Sequence, residues 1–468
     1  MSDQTIDESD GTEAGRPRNR RPLVIAAIAV LLVAAVVAAV LTFRAIGSST
    51  PAEAVPATVP VEITVKHVPD TTKIGVVVTL GDGEGSEWNE AAQGALVAER
   101  RLALGGTDIT LVTKNDGGTS AGAKTAVESL AKSGVAGIVV ASSGKHVSGA
   151  LTTAAEKHIP VVVPYASAEK DSWSTAPTAE SIGAAMTTAL GDAKSPLLVD
   201  LGGGAPADLR VAHVLDGDDT ADTAELAATI ASRTGATDAD DDTAEAADAD
   251  PKAAPDSDAV VVSGSAQRQG ALVAALQAAD VTVPVVLTPD ATSPAFGAAL
   301  VDAGGSLSGS FRTVGVATDD ARALSSDAEG RAMSAFLGGV RVLADDADAQ
   351  NLTGDRPFSA VAGAADARSH DAVVALVRAV GKAGSTEPSD VTDALAALDL
   401  DSAAGIAGPA LDFTRQQALG ASATVLAASA QPLGLRPDTA SSGDGGDDSG
   451  SDAAQSTALV WFEDSTAR

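Results

Sequence analysis

Between residues 73 and 167, short β-branched apolar runs alternate with stretches of helical periodicity, and this alternation restricts the fold more than any other feature. Residues 74–80 form one such run, followed by a glycine- and acid-rich loop over 81–88. A helical pattern spans 89–104, with Ala92, Ala95, Leu96 and Leu102 near spacings of three and four. Further strands are predicted at 109–112, 135–140 and 161–163, separated by helices over 121–133 and 151–157. Strands joined through helices of this length form βαβ units and a parallel sheet. Ligands of such sheets sit beyond the carboxyl ends of the strands. The loops there are 81–88, 141–144 and 165–168, and they indicate a binding protein.

The N-terminus adds a location. Arg16, Arg18, Arg20 and Arg21 precede an uncharged run over 22–43. Roughly 20 apolar residues cross a hydrocarbon core of about 30 Å. Basic residues before the run place residues 1–21 in the cytoplasm and the chain after Arg44 outside. The rival reading is a cleaved secretory signal, with small-residue sites at 52–54 or 54–57. A signal core is usually about 7–15 residues, shorter than this run. An uncleaved single-pass anchor is the expectation.

The chain has no cysteine, which excludes disulfides, thiolate metal sites and a lipidated cysteine. An exported protein without disulfides needs a large core, and the remaining length can supply one. A net charge of −32 excludes a phosphate-neutralising surface, so no nucleic-acid partner is expected. Much of the acid is concentrated in 216–219, 238–258 and 444–452, none with the spacing of an EF-hand loop. These read as solvated loops. No metal or cofactor is expected.

Along the chain, 44–70 reads as an extracytoplasmic linker, its Pro-, Ala- and Thr-rich part an extended stalk. One α/β block runs over 71–174. A second covers 175–316, with strands at 196–199, 259–262 and 285–287 and helices at 179–190, 269–279 and 294–303. Residues 211–215 are a short strand or a loop. A helix over 221–232 is expected to be capped by Asp219 or Thr220, and 237–256 to be a disordered insertion. Helices follow at 327–344, 371–383 and 391–398. Strand-like runs close the chain at 410–413, 423–427 and 458–462, with an acidic hairpin loop at 438–456.

The ordered elements resemble the type I periplasmic solute-binding proteins, the leucine/isoleucine/valine-binding family of ABC importers. The resemblance covers about 73–464. It is carried by the opening strand, loop and helix of 74–104, by Ile138-Val-Val-Ala-Ser-Ser-Gly144, and by Ile159-Pro-Val-Val-Val-Pro-Tyr-Ala-Ser-Ala168. Pro177-Thr-Ala-Glu-Ser-Ile-Gly183 resembles the crossing into the second lobe. Asp258-Ala-Val-Val-Val262, Val285-Val-Leu-Thr-Pro-Asp290 and Ser293-Pro-Ala-Phe296 are similar to that lobe's later strands and loops. Ser369-His-Asp-Ala-Val373 resembles a Tyr-Asp-Ala helix, with His370 at the tyrosine. Gly405-Ile-Ala-Gly-Pro-Ala-Leu-Asp-Phe413 resembles a late Gly-x-x-Gly turn. The resemblance implies two α/β lobes joined by three crossing strands, which close on a small polar solute such as an amino acid. It also implies an ABC permease as partner. Residues 317–404 would complete the first lobe and 405–468 would return to the second.

Candidate ligand residues follow. Ser142 and Ser143, between a strand and a helix, are placed to meet a carboxylate or to cap the helix. Ala166, Ser167 and Ala168 match a loop offering backbone groups to a zwitterion. Trp88 and Tyr165 are aromatic walls or packing residues; Trp173 reads as structural. Asp290 is placed to pair with an ammonium or to close a turn, and Gly203 brings bare backbone near the cleft. The aromatic common in that region of the family is absent, which leaves the ligand class open.

Enzymatic motifs are missing: no G-x-S-x-G, H-E-x-x-H or Walker A pattern occurs, and the histidines lack metal-ligand spacing. The expectation is a non-enzymatic solute-binding protein. A sensor ectodomain acting through a partner and a structural envelope protein with a degenerate pocket are the alternatives.

Overall fold

The strand β1 (Lys73–Val78) is buried on both faces, which explains why its sequence is a continuous apolar run. Ile74, Val76 and Val78 face one core, and Val77 faces another. The computed structural model describes residues 61–217, 221–236, 256–309, 311–316, 320–430, 433–437 and 459–464. The membrane run 22–43, the tail 1–21, almost all of the insertion 237–256 and the loop 438–456 lie outside them. No described helix is long and apolar enough to cross a membrane.

Lobe 1 is built on a parallel sheet ordered β2 (Thr110–Asn115), β1, β3 (Gly137–Val140), β4 (Val161–Val163), β5 (Ser172–Ser174). Helix α1 (Gly94–Leu104) covers the Val76 face, and α2 (Ser120–Lys132) and α3 (Val147–Glu156) cover the Val77 face.

Lobe 2 holds α4 (Ala179–Leu190), capped by the Thr178 hydroxyl, and a seven-stranded sheet. Its parallel part comprises β6 (Pro196–Leu201), β7 (His213–Asp216), β8 (Ala259–Gly264), β9 (Val285–Leu287) and β10 (Phe311–Gly315). Helices α5 (Thr223–Thr234), α6 (Ala266–Ala278) and α7 (Pro294–Asp302) pack on one face, and α4 packs on the other. Asp222 caps α5, accepting from the Ala224 N–H at 2.8 Å; Asp219 and Thr220, expected in that role, lie outside the described residues.

The chain then returns to lobe 1 with α8 (Ala328–Ala344), α9 (Ala367–Ala383) and α10 (Pro388–Leu395), followed by the short pair β11 (Asp399–Leu400) and β12 (Leu411–Asp412). It goes back to lobe 2 as β13 (Thr424–Ser429), antiparallel to β10, and ends with β14 (Val460–Glu463), antiparallel to β13. The lobes are joined near 174–179 and 420–424, and again where the chain passes from Gly315 at the end of β10 to Val316, which is buried in the lobe 1 core. Two of these connections hold each other: the Ser174 N–H donates to Gln416 O and the Ala418 N–H to Ser174 O, both at 2.8 Å.

Two sequence-based boundaries move. Residues 61–68, read as stalk, lie on lobe 1: Ile63 is buried, its N–H donates to Arg101 O at 2.9 Å, and Arg101 Nε donates to Val61 O at 2.7 Å. A Cβ on Gly381 would come within 2.6 Å of Lys66 O, so α9 accommodates this segment through a missing side chain. Residues 405–420, assigned to lobe 2, also belong to lobe 1, because Phe413 is fully buried in its core and accepts from Trp173 Nε1 at 2.8 Å. After β13 the chain visits lobe 1 once more. Arg436 pairs there with Asp320 at 2.6 and 2.8 Å and donates to Ala365 O at 2.6 Å.

The quoted family motifs of lobe 1 meet in space. Asp371 accepts from the Ala407 and Gly408 N–H groups at 2.7 and 2.8 Å, so the helix motif and the Gly-x-x-Gly turn form one unit. His370 lies between Asp371 (Nδ1, 2.7 Å) and Arg101 (Nε2, 2.9 Å). Burial pushes its pKa down, consistent with a neutral ring that donates from Nδ1 and accepts at Nε2.

Candidate functional site

The loop 81–88 leaves the carboxyl end of β1 and folds over the loop after β3. Gly85 makes this approach possible: its φ is +94°, and a Cβ there would lie 2.1 Å from Ser142 Oγ. Glu87, buried in this loop, accepts from Ser143 Oγ at 2.7 Å through Oε1 and from the Gly85 N–H at 3.0 Å through Oε2. Glu84 reaches the same loop and accepts from the Lys145 N–H at 3.2 Å.

Lobe 2 meets this loop directly. Ser293 caps α7 by accepting from the Ala295 N–H at 3.1 Å, and its hydroxyl donates to Glu87 O at 2.7 Å. Asp290, half-buried in the turn before Ser293, faces Glu87, Glu84 and Arg368. Burial, then the Glu87 carboxylate, push its pKa up to about 7.

Trp88 and Tyr165 stack with ring centroids 4.3 Å apart and planes 6° from parallel. The Arg368 guanidinium, near the start of α9, lies 4.7 and 4.6 Å from the two centroids, within cation–π range of both. Arg368 is oriented by Asp366, which accepts from its Nε at 2.9 Å. Among the described residues, the buried Trp88 Nε1 has no hydrogen-bond partner. Beside the lobe connections, Thr175, Val316, Arg368, Asp371 and Leu419 help to line a cavity of about 10 Å³, the room one water molecule needs.

The structure thus brings Trp88, Ser143, Tyr165 and Asp290 to one seam. The other candidates are placed differently. Ser142 is fully buried, and its hydroxyl faces inward to Thr79 Oγ1 (2.6 Å) and His146 Nε2 (3.1 Å), so it supports the loop and does not face the seam. Ala166 accepts from Ser174 Oγ at 2.7 Å; Ser167 is exposed and Ala168 partly buried. Gly203 lies against Ser263 and Gly264 within lobe 2, where a Cβ would come within 2.4 Å of Ser263 Oγ.

Ser142, His146 and Asp116 are adjacent, but they do not form a catalytic triad. Ser142 Oγ and Asp116 Oδ2 (3.2 Å) share the same ring nitrogen, Nε2, whereas a triad needs the carboxylate on the opposite nitrogen. The hydrogen bond to Asp116 raises the His146 pKa. Burial pushes Asp116 up, but its bonds to His146, the Gly118 N–H and Thr79 outweigh this and lower it. The three side chains form a buried polar cluster within lobe 1.

Glu87, Ser293 and Arg368 were not anticipated. Glu87 lay inside a loop already marked as functional, next to Trp88. Nothing local in the sequence pointed Arg368 or Ser293 to the seam, because the rings and the carbonyl they meet there are 203 or more residues away in the chain.

No protein-family model and no curated protein sequence matches the chain; solved structures do. The branched-chain amino acid transporter substrate binding protein LivJ of Streptococcus pneumoniae, in complex with isoleucine, aligns at 16% identity over 76% of this chain and 99% of its own, with a TM-score of 0.54. The leucine-binding protein LivK of Thermotoga maritima aligns at 16% identity over 76% and 95%, TM-score 0.53. A type 1 periplasmic binding protein of Bordetella pertussis aligns at 16% identity over 76% and 96%, TM-score 0.51. With two α/β lobes, a seam at the strand ends and these neighbours, the chain has the fold of the type I periplasmic binding proteins.

Proposed function

We propose that the protein is an extracytoplasmic solute-binding protein, capturing a small polar ligand, an amino acid or a related molecule, between two closing lobes for an ABC importer. The observation that carries this reading is the convergence of strand-end loops from both sheets on one seam. Hydroxyl, carboxylate, aromatic and guanidinium groups meet there. Arg368 and the Ser143 hydroxyl suit a carboxylate, and Glu87 and Asp290 suit an ammonium. The neighbours bound to isoleucine or named for leucine agree with that chemistry.

The solute acts by differential contact: a molecule touching both lobes favours their closed arrangement. No catalytic step is part of this function. Residues 22–43 hold the protein in the cell membrane as a single pass, with residues 1–21 in the cytoplasm. The chain lacks cysteine, so single cysteines introduced at Ser2 and at His67 report sidedness to a membrane-impermeant maleimide. Labelling at His67 alone in intact cells supports the orientation, and labelling at Ser2 refutes it.

A thermal-shift screen with amino acids, short peptides and sugars tests the solute reading, because a ligand specific for the folded form raises the melting temperature. A saturable rise is expected. Silence across the panel would favour a second reading, an envelope protein with a degenerate pocket, which the internal Glu87–Ser143 bond also accommodates.

A further inference from the structure

Residues 61–68, ahead of β1, lie in a groove of lobe 1 that missing side chains keep open. Gly105, at the end of α1, has a φ of −85° that does not call for glycine, yet a Cβ there would come within 2.1 Å of Ile63 O. A Cβ at Gly338 on α8 would come within 2.9 Å of the Val61 side chain, and one at Gly381 on α9 within 2.6 Å of Lys66 O. Thr107 clips the segment: its hydroxyl donates to Val65 O at 3.2 Å and accepts from the Val65 N–H at 3.4 Å.

Unbroken hydrogen bonds connect this segment to the 405–408 turn. Arg101, buried in α1, donates from Nε to Val61 O at 2.7 Å and from Nη1 to Gly405 O at 3.3 Å. Nη1 also meets His370 Nε2 at 2.9 Å, and the neighbouring Asp371 accepts from the Ala407 and Gly408 N–H groups. Ile63 lies directly on the turn, since a Cβ at Gly405 would come within 3.1 Å of its side chain. Asp371 and Gly408 in turn line the one-water cavity beside Thr175 and Val316, where the chain passes between the lobes.

We infer that residues 61–68 are a strap whose seating in this groove holds the 405–408 turn and, through it, the lobe connections, so that the arrangement of the lobes depends on a site outside the seam. With the strap seated, the turn is fixed and the lobes stay in contact. With the strap lifted, Arg101 loses Val61 O, the turn loosens and the lobes part more readily. Such a coupling is reciprocal: parting of the lobes weakens the seat of the strap by the same free energy. The chain leading into β1 therefore registers the state of the cleft. The inference concerns lobe movement and needs no solute, so it stands or falls apart from the solute-binding reading.

The test uses the full-length protein with Gly105→Ala or Gly381→Ala, each of which adds one methyl group in the path of the strap. Alanine in place of glycine inside a helix ordinarily stabilises. Here Gly381→Ala should lower the melting temperature instead. Hydrogen exchange should become about tenfold faster over 61–68 and over 405–408, with β8 of lobe 2 unchanged. X-ray scattering should show a larger radius of gyration. Thr107→Val removes the clip, keeps the volume and should give the same pattern more weakly; it decides the matter if the glycine variants do not fold. Undiminished protection of 61–68, or a raised melting temperature in Gly381→Ala, overturns the inference, because the strap is then not seated on these glycines. Faster exchange over 61–68 with either 405–408 or the radius unchanged also overturns it, leaving a strap that only covers lobe 1. Equal acceleration of β8 in Thr107→Val does so too, as general loosening.

Discussion

The hydroxyl of Ser293 donates to the backbone carbonyl of Glu87 at 2.7 Å, so the residue that caps a helix of lobe 2 also holds a loop of lobe 1. Ser293→Ala removes both bonds. A lost cap costs about 1 kcal/mol and a lost neutral hydrogen bond about 0.5–1.5 kcal/mol. Ser293→Asp separates the two, since a carboxylate still caps α7 but has nothing to donate and faces Glu87. We expect Ser293→Asp to retain the stability of lobe 2 and to open the seam, seen as a larger radius of gyration in X-ray scattering. An unchanged radius would show that this bond does not hold the lobes together.

The seam is expected to respond to pH through Asp290. Its pKa with the lobes in contact as in this structure is about 7, against an ordinary value of 3.8, and Glu87, Glu84 and Arg368 act on it. A carboxyl raised in the closed form favours closure most fully below the ordinary value. That preference is lost as pH rises towards about 7. Scattering between pH 4 and 8 should therefore show the lobes separating with rising pH. Asp290→Asn should flatten the profile; a slope that survives the substitution points to another group.

Asp371 terminates a buried chain that runs through His370 to Arg101 and accepts two backbone N–H groups of the 405–408 turn. Asp371→Ala leaves those two N–H groups and His370 Nδ1 without their acceptor, and removes the negative charge that offsets the buried Arg101 guanidinium. Removing one partner from such a network costs about 3–5 kcal/mol. Denaturant unfolding should show this loss, and hydrogen exchange should show the 405–408 turn losing protection. A cost below about 1 kcal/mol would mean that the turn finds other acceptors.

Arg436 brings residues 433–437 to lobe 1 between two strands of lobe 2. Arg436→Ala strands the buried carboxylate of Asp320 and frees the Gly363 and Ala365 carbonyls. Faster hydrogen exchange over 320–324 and 363–366 is the expected outcome, with the β13–β14 pairing intact. Loss of protection in β13 as well would show that the two strands depend on this anchor.

The alternation of apolar runs with helical periodicity marked most strands of both sheets, because a strand buried on both faces has little choice of residue; β5 and β10 were not marked, and β7 was left between strand and loop. Helices over 179–190 and 294–303 were legible in the same local way. The sequence also determined the loops in which the seam would form, since parallel strands put their carboxyl ends on one edge. Which atoms meet there was a different matter. Ser142 and Ser143 are neighbours of identical type, yet one turns inward to Thr79 and the other meets Glu87. Glu87 and Ser143 are 56 residues apart, and Ser293 and Glu87 are 206. Side-chain period and capping are properties of a few adjacent residues. The choice of partner depends on how two separately built lobes come to rest against each other, and only the tertiary structure decided that.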